Sequence, residues 1–139
     1  MTAREQDIQM TATQAIAATN DFVVKFANVN GSGSASANEM FARAIIRMGV
    51  PVAPRNVFPS NIQGLPTWYE IRVSGKGYLG ARGGTDFMIA MNPQTFNADV
   101  ASIEPDGYLL YDNTRAMPPG KMRNDINIIG VPLTEICNQ

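Results

Sequence analysis

The stretch that decides the fold runs from residue 22 to residue 49 and reads FVVKFANVNGSGSASANEMFARAIIRMG. Its first part, Phe22 to Ala27, is rich in β-branched and aromatic side chains, which is typical of a buried strand. Two asparagines and two glycines between residues 28 and 33 then predict a turn. Apolar side chains recur at helical spacing further on. The order is therefore strand, glycine turn and helix.

The limits of the helix can be predicted from local signals. Ser36 and Glu39 have the spacing of a capping box, in which each side chain satisfies a backbone N–H that the helix leaves free. Gly49 ends the helix and Pro51 prevents it from resuming. One apolar stripe is expected to face the core; it consists of Met40, Phe41, Ala44, Ile45 and Met48.

A second strand is expected from Val50 to Phe58, which would complete a right-handed βαβ unit of about 30 residues. Further strands are predicted at 68–73, 87–91, 107–111 and 126–131. Apolar and polar side chains alternate along 68–73, as in a half-buried strand. The apolar run 87–91 is instead typical of a strand buried on both faces. Residues 76–84 contain four glycines and are expected to form a loop.

Two short helical segments complete the pattern. Asn92-Pro93 begins a turn or short helix that Phe96 and Val100 would pack onto the sheet. A last helix is predicted to begin with Pro132 to Ile136, and only about two turns of it are expected. A domain of this architecture normally places a whole helix there to cover the sheet. We therefore predict an α/β fold, a Rossmann-like three-layer domain with a mostly parallel sheet, truncated at its C-terminal helix.

Length and charge limit the classes of protein. The 139 residues suit one domain, which we place at 21–139, preceded by a flexible or docking arm at 1–20 that is polar and alanine-rich. The net charge is -1, and the acidic and basic residues are scattered along the chain. The sequence therefore has no basic patch of the kind that binds nucleic acid. No apolar run approaches the roughly 20 residues of a membrane span, and the N-terminus lacks the features of a secretory signal.

The chain contains no histidine and one cysteine, Cys137. These counts exclude Ser-His-Asp and Cys-His catalysis, histidine-containing zinc sites and an iron–sulfur cluster held by this chain alone. Cys137 is expected at a half-buried apolar position, and a lone cysteine is typical of the reducing cytoplasm. We predict no catalytic residue and no metal site here.

The glycine turn is the one candidate binding feature. Gly31, Ser32, Gly33 and Ser34 lie where a nucleotide-binding fold places G-x-G-x-x-G, with Ser36 at the third glycine position. Such a turn lets backbone N–H groups approach a phosphate at the positive end of a helix. Glycine and serine serve equally to make a sharp turn, so a purely structural role stays open.

The second half of a dinucleotide fingerprint is missing. An acidic residue is expected about 20 positions on to hold the ribose, yet no carboxylate lies between Glu39 and Glu70. Arg55 stands there instead, and its guanidinium could pair with a phosphate on a ribose. This pattern disfavours NAD and leaves NADP or another phosphorylated adenosine open, beside a plain solvated role for Arg55.

Several segments in order resemble the gamma domain of 2-oxoacid:ferredoxin oxidoreductases, in the version at the N-terminus of the alpha subunit of 2-oxoglutarate-type enzymes. The matching stretches are Asn30 to Arg43, Phe58-Pro59-Ser60, Glu70-Ile71-Arg72-Val73-Ser74 and Asp86 to Pro93. The likeness covers roughly residues 20–137. Many members have a Gly-Pro-Glu-Arg-Arg-Gly loop where this chain has Asn61 to Thr67, so no ligand role carries over to that loop.

The resemblance implies a place in an enzyme that oxidatively decarboxylates a 2-oxoacid to an acyl-coenzyme A and passes electrons to ferredoxin. It implies that thiamine diphosphate and iron–sulfur clusters lie in partner domains or subunits, and that this domain contributes coenzyme A binding and subunit packing. Gly31, Ser32, Gly33 and Ser34 would then hold a phosphate of coenzyme A, with Arg55 assisting. Two other readings stay open: a docking module without a ligand, and an NADP-binding Rossmann-like domain.

Overall fold

The computed structural model describes residues 20–57, 64–117 and 123–139, and these form six strands and three helices. The strands are β1 (Asp21–Val29), β2 (Val52–Val57), β3 (Pro66–Ser74), β4 (Thr85–Ala90), β5 (Ile103–Asp112) and β6 (Asn127–Val131). The helices are α1 (Ser34–Arg47), α2 (Phe96–Ala101) and α3 (Leu133–Cys137). Every strand predicted from the sequence is present. Residues 1–19 of the proposed arm at 1–20 lie outside the described residues, as do the segments 58–63 and 118–122.

All six strands belong to one sheet with the order β2-β3-β1-β4-β5-β6. β1 pairs in parallel with β4, β4 with β5, and β5 with β6. β3 is antiparallel to both of its neighbours, β1 and β2. The predicted α/β class with a mostly parallel sheet is confirmed.

The predicted βαβ unit needs a correction. β1 and β2 run in the same direction, since each is antiparallel to β3, but β3 lies between them. Hydrophobic periodicity identifies the elements, whereas the neighbours of a strand depend on long-range pairing that periodicity does not encode.

Two apolar cores lie on opposite faces of the sheet, because successive side chains of a strand point to opposite sides. Along β4, Phe87 and Ile89 pack into the first core, whereas Met88 and Ala90 belong to the second. α1 covers the first core through Ala42 and Ile45. α2 covers the second through Val100 and Phe96, as the sequence predicted. Helix, sheet and helix make the three layers.

β3 is buried on both faces along most of its length, and not half-buried as predicted. Its polar side chains on the second face are paired: Glu70 lies 2.8 Å from the Arg55 guanidinium and 3.8 Å from the Lys25 ammonium. Arg72 lies 2.6 Å from the Asp21 carboxylate. Charged groups with partners can occupy buried positions that unpaired ones cannot, so charge at alternate positions did not indicate exposure here.

α1 differs from its predicted start and face. It begins at Ser34 with Gly33 as the N-cap residue, so the expected capping box is wrong; Glu39 instead lies 2.6 Å from Arg43 one turn on. The sheet-facing positions are Asn38, Ala42 and Ile45.

Apart from Ile45, the apolar stripe predicted for α1 therefore marks a flank of the helix. Met40 and Met48 are 71% and 78% exposed, whereas the Phe41 ring packs edge-on against Phe26 of β1 at 6.0 Å. The predicted end is confirmed, because Gly49 has φ 84° directly after the C-cap residue Met48.

The last described helix, α3, runs only from Leu133 to Cys137. It is fastened to the end of β5 by Asp112, whose carboxylate accepts hydrogen bonds from the Thr134 amide at 3.2 Å and from the Thr134 hydroxyl. Cys137 is exposed, not half-buried as expected. Within the three described stretches no helix has the length and apolar character to cross a membrane.

Candidate functional site

The candidate site begins where β1 leaves the sheet. The Asn30 amide donates to the Leu65 carbonyl at 2.8 Å, and the Gly64 amide donates back to the Asn30 carbonyl at 3.1 Å. Beyond this anchor Gly31 and Gly33 have φ angles of 84° and 77°. Only glycine adopts this left-handed region without a steric cost. The turn therefore requires glycine at the two positions where the sequence has it.

The turn delivers the chain into the N-terminus of α1. Gly33, the N-cap residue, has no side chain with which to cap the helix, and the first turn carries no acidic residue. Helix N-termini bear partial positive charge and free N–H groups. The hydroxyls of Ser32 and Ser34 lie 3.0 Å apart and exposed at the same end. An anion would find donors here without displacing a protein carboxylate.

A cavity of about 250 Å3 opens beside this helix end. Gly31, Ser32, Gly33 and Ser34 line it, so the structure brings together four of the five predicted site residues. The opposite wall comes from the ends of β2 and β3. It consists of Asn56, Thr67, Trp68 and Tyr69.

Asn38 is the functional candidate that sequence reasoning missed. It lines the cavity, is only 7% exposed, and its side-chain nitrogen Nδ2 has no hydrogen-bond partner among the described residues. A buried donor without an acceptor costs about 1–3 kcal/mol, so such a group points to a ligand. The sequence could have indicated it through helical spacing: Asn38, Ala42 and Ile45 lie on one face of the helix, so an amide side chain lies on the face toward the sheet.

Tyr69 also lines this cavity and carries a phenol hydroxyl. Burial, with a smaller contribution from the Glu39 carboxylate, raises the pKa of the Tyr69 phenol above its ordinary value, and the Arg43 charge only partly opposes this. The phenol therefore stays protonated at neutral pH and remains able to donate a hydrogen bond. All of the donors around the cavity are neutral groups.

Arg55, the fifth predicted site residue, does not line this cavity. It lies on β2 with its guanidinium held by Glu70 at 2.8 Å. Its register partner Glu70 and the cavity-lining Tyr69 are consecutive in β3, and consecutive side chains point to opposite faces of a sheet. The structure thus separates Arg55 from the glycine turn. Arg55 is therefore not placed to pair with a ribose phosphate of NADP bound at that turn.

Metal-binding chemistry is not represented in the described part of the chain. No group of three or more histidine, cysteine, aspartate or glutamate side chains there is placed to hold a metal ion. Hydrogen bonds from Thr134 and then Thr114 hold the pKa of the Asp112 carboxyl well below its usual range, and those bonds serve the local structure.

The comparisons with known proteins agree with the fold. The model of the pyruvate ferredoxin/flavodoxin oxidoreductase family matches residues 23–139. The chain belongs to this family. The resemblance inferred from the sequence is therefore confirmed at the level of the family. Comparison with curated proteins gave no match.

Solved structures of family members share the fold. A 2-oxoglutarate:ferredoxin oxidoreductase from Magnetococcus marinus, solved with 2-oxoglutarate, coenzyme A and succinyl-CoA bound, matches with a TM-score of 0.75 at 23% identity. The match covers 87% of this chain and 21% of the other. At such identities the likeness shows the fold alone.

Two separate subunits give a similar result, each with a TM-score of 0.65. The pyruvate oxidoreductase subunit PORC from Thermotoga maritima is 21% identical, covering 86% of this chain and 66% of that one. The gamma subunit of a keto/oxoacid ferredoxin oxidoreductase from Geobacter sulfurreducens PCA is 18% identical, covering 85% and 65%. The chain thus spans just under two thirds of these subunits and about a fifth of the larger enzyme chain.

Proposed function

We propose that this family member is the gamma domain of a 2-oxoacid:ferredoxin oxidoreductase and that it holds a phosphate of coenzyme A at the glycine turn. One observation carries the proposal: the uncapped N-terminus of α1 and the unpaired Asn38 amide line the same cavity. A phosphate accepts hydrogen bonds from both kinds of donor. The proposed holders are Gly31, Ser32, Gly33 and Ser34, with Asn38 in the place that the sequence assigned to Arg55.

The size of the cavity decides which part of coenzyme A it would take. About 250 Å3 accommodates a phosphate group and its immediate linkage, and is below the 300–1,000 Å3 typical of sites that enclose a drug-sized ligand. The remainder of the cofactor would lie across other surfaces. Coenzyme A supplies the thiol that receives the acyl group, while this chain's contribution is to bind and orient the phosphate.

The rest of the reaction belongs to partners in this proposal. Thiamine diphosphate and iron–sulfur clusters would lie in other domains or subunits, and ferredoxin would receive the electrons there. The lack of histidine and the single cysteine in this chain support that division. The sequence resemblance to the 2-oxoglutarate-type enzymes supports 2-oxoglutarate as the substrate in this proposal. A complex of this kind would operate in the cytoplasm.

Calorimetric titration of coenzyme A into the full chain tests the site. Gly33→Val introduces a side chain where φ is 77° but no atom lies within 4 Å, so the fold survives with about 1–2 kcal/mol of strain. We expect it to weaken coenzyme A binding about tenfold or more, as the N-terminal amides are displaced. Gly49→Val is the matched control, because φ is 84° and its surroundings are equally open at the other end of α1.

Asn38→Leu completes the test. It removes the unpaired donor and replaces it with an apolar group of similar size, so stability is expected to hold or rise while coenzyme A binding weakens. A purely structural asparagine would give the opposite stability result. Two results would contradict the proposed site: no saturable binding of coenzyme A to the native chain, or an equal loss of coenzyme A affinity in Gly49→Val and Gly33→Val. Either result would favour a docking module without a ligand.

A further inference from the structure

A second cavity, of about 440 Å3, lies at the carboxyl ends of β4 and β5. The residues that define it for the argument are Met91, Phe96, Tyr111, Asp112, Arg115 and Met117. It shares no lining residue with the cavity at the glycine turn. Between the two cavities buried Asn92 donates its amide to the Asn28 carbonyl at 3.1 Å. The proposed role of the glycine turn therefore does not account for this second cavity.

The inner wall of the second cavity is apolar and firmly supported. Phe96 of α2 and Tyr111 of β5 meet edge to face with ring centroids 6.3 Å apart, a geometry that fixes both rings. Both rings and Met117 pack against the second core. Met91, directly after β4, is 40% exposed at the opening. Adjustable thioethers beside fixed rings suit an apolar guest.

The rim of the cavity carries two charged groups in different states. The Asp112 carboxylate is fully engaged: it accepts from the Thr114 amide at 3.0 Å, from the Thr134 amide at 3.2 Å and from the Thr134 hydroxyl. Its charge is used in fastening α3 and the loop after β5. The charged group that remains to meet a ligand is on Arg115.

Arg115 is exposed and makes no hydrogen bond or ion pair with any residue of 20–57, 64–117 or 123–139. Its guanidinium is a planar fork of donors that matches a carboxylate or a phosphate. Arg43, Arg55, Arg72, Arg82 and Arg123, in contrast, are each paired with a carboxylate.

We propose that the second cavity is a binding site for a small ligand with an apolar body and an anionic group, the body against Phe96, Tyr111 and the methionines and the anion on Arg115. The volume is in the range of small-molecule sites, which combine mostly apolar walls with one or a few polar anchors. The crevice at the carboxyl ends of parallel strands is where α/β folds place ligands. Phosphate and carboxylate present the same chemistry to a guanidinium.

Methionine-methyl NMR of the full chain tests this site with phenyl phosphate as the probe. The Met91 and Met117 methyl signals are expected to shift saturably. The exposed Met40 and Met48 of α1 provide internal references that stay in place. Arg115→Gln is expected to weaken binding about tenfold, and Arg47→Gln, which removes an exposed arginine from α1, to leave it unchanged.

Two partial probes separate the halves of the proposal. Inorganic phosphate lacks the apolar body and benzyl alcohol lacks the charge, so each is expected to bind more weakly than phenyl phosphate; benzoate, which keeps both features, should bind comparably. The proposal is overturned if Met91 and Met117 do not respond, if Met40 and Met48 shift equally, if Arg115→Gln titrates as the native chain, or if inorganic phosphate binds as well as phenyl phosphate.

Discussion

Asp99 shows how much one buried carboxylate can organise. It is 3% exposed at the first turn of α2, and its Oδ1 accepts from the indole N–H of Trp68 at 2.8 Å. The Thr95 hydroxyl donates to Oδ2 at 2.6 Å. Because Trp68 belongs to β3 and Asp99 to α2, the indole bond ties the antiparallel side of the sheet to the helix on the parallel side.

Replacing Asp99 tests this tie. Asp99→Ala leaves the indole N–H and the Thr95 hydroxyl without their acceptor and is expected to lower the free energy of unfolding by about 1.5–3 kcal/mol. Asp99→Asn keeps an oxygen for the indole and should cost distinctly less. Urea unfolding followed by circular dichroism measures both variants. Equal losses in the two would show that the charge, and not the acceptor oxygen, matters.

At the scale of elements, β5 depends on one glycine in its interior. A Cβ built on Gly107 would lie 2.6 Å from Cγ2 of Ile103, 2.8 Å from the Glu104 carbonyl oxygen and 2.9 Å from the Asp86 carbonyl oxygen. Two of these three contacts are backbone atoms, which cannot rotate away as a flexible side chain would.

Gly107→Ala is therefore expected to destabilise the chain by about 1–3 kcal/mol, the usual cost of overpacking. Gly80→Ala is the matched control, since nothing lies within 4 Å of its Cβ, and exposed substitutions of this kind stay within about 0.5 kcal/mol. Thermal unfolding of both variants checks the difference. A Gly80→Ala loss as large as that of Gly107→Ala would contradict the role of close packing in β5.

The elements were predictable from the sequence, and their neighbours were not. Runs such as 22–27 and 87–91 carry enough apolar, β-branched and aromatic residues to identify strands locally. The insertion of β3 between β1 and β2 depends on pairings far apart in the chain. The same limit applies to the candidate site: the glycine turn was visible as a local pattern, whereas the separation of Arg55 and the approach of Asn38 required the sheet and helix to be packed.

At the scale of the whole molecule, one side of the sheet keeps an apolar surface open to solvent. It combines Met40, Phe41 and Met48 of α1 with Tyr108 of β5 and Ile129 of β6. Phe87, stacked on Tyr108 at 5.7 Å, belongs to the first core and places β5 on that side. Large apolar side chains left exposed on one side of a sheet are typical of interaction sites.

The proposed membership of a larger enzyme predicts what this surface does in the cell. Chain purified natively without oxygen is expected to bring with it larger polypeptides that carry thiamine diphosphate and iron–sulfur clusters, as mass spectrometry would show. Met40→Glu with Met48→Glu should reduce that recovery, because charge at the exposed flank opposes apolar contact. Gln94→Glu with Ala98→Glu serves as the control, because these exposed positions lie before and in α2, which covers the opposite face of the sheet. Native chain that runs alone would contradict membership of such a complex.

The central position of β1 has a consequence for how the chain folds as it leaves the ribosome. β1 is the first described strand, yet its neighbours are β3 and β4, and among the described strands β2 is adjacent to β3 alone. Until the polypeptide through Ser74 has emerged, none of the described strands has its partner. During synthesis β1, the glycine turn, α1 and β2 therefore emerge before the strand that pairs with β1 and β2, and β3 can join both of them only after it has itself emerged.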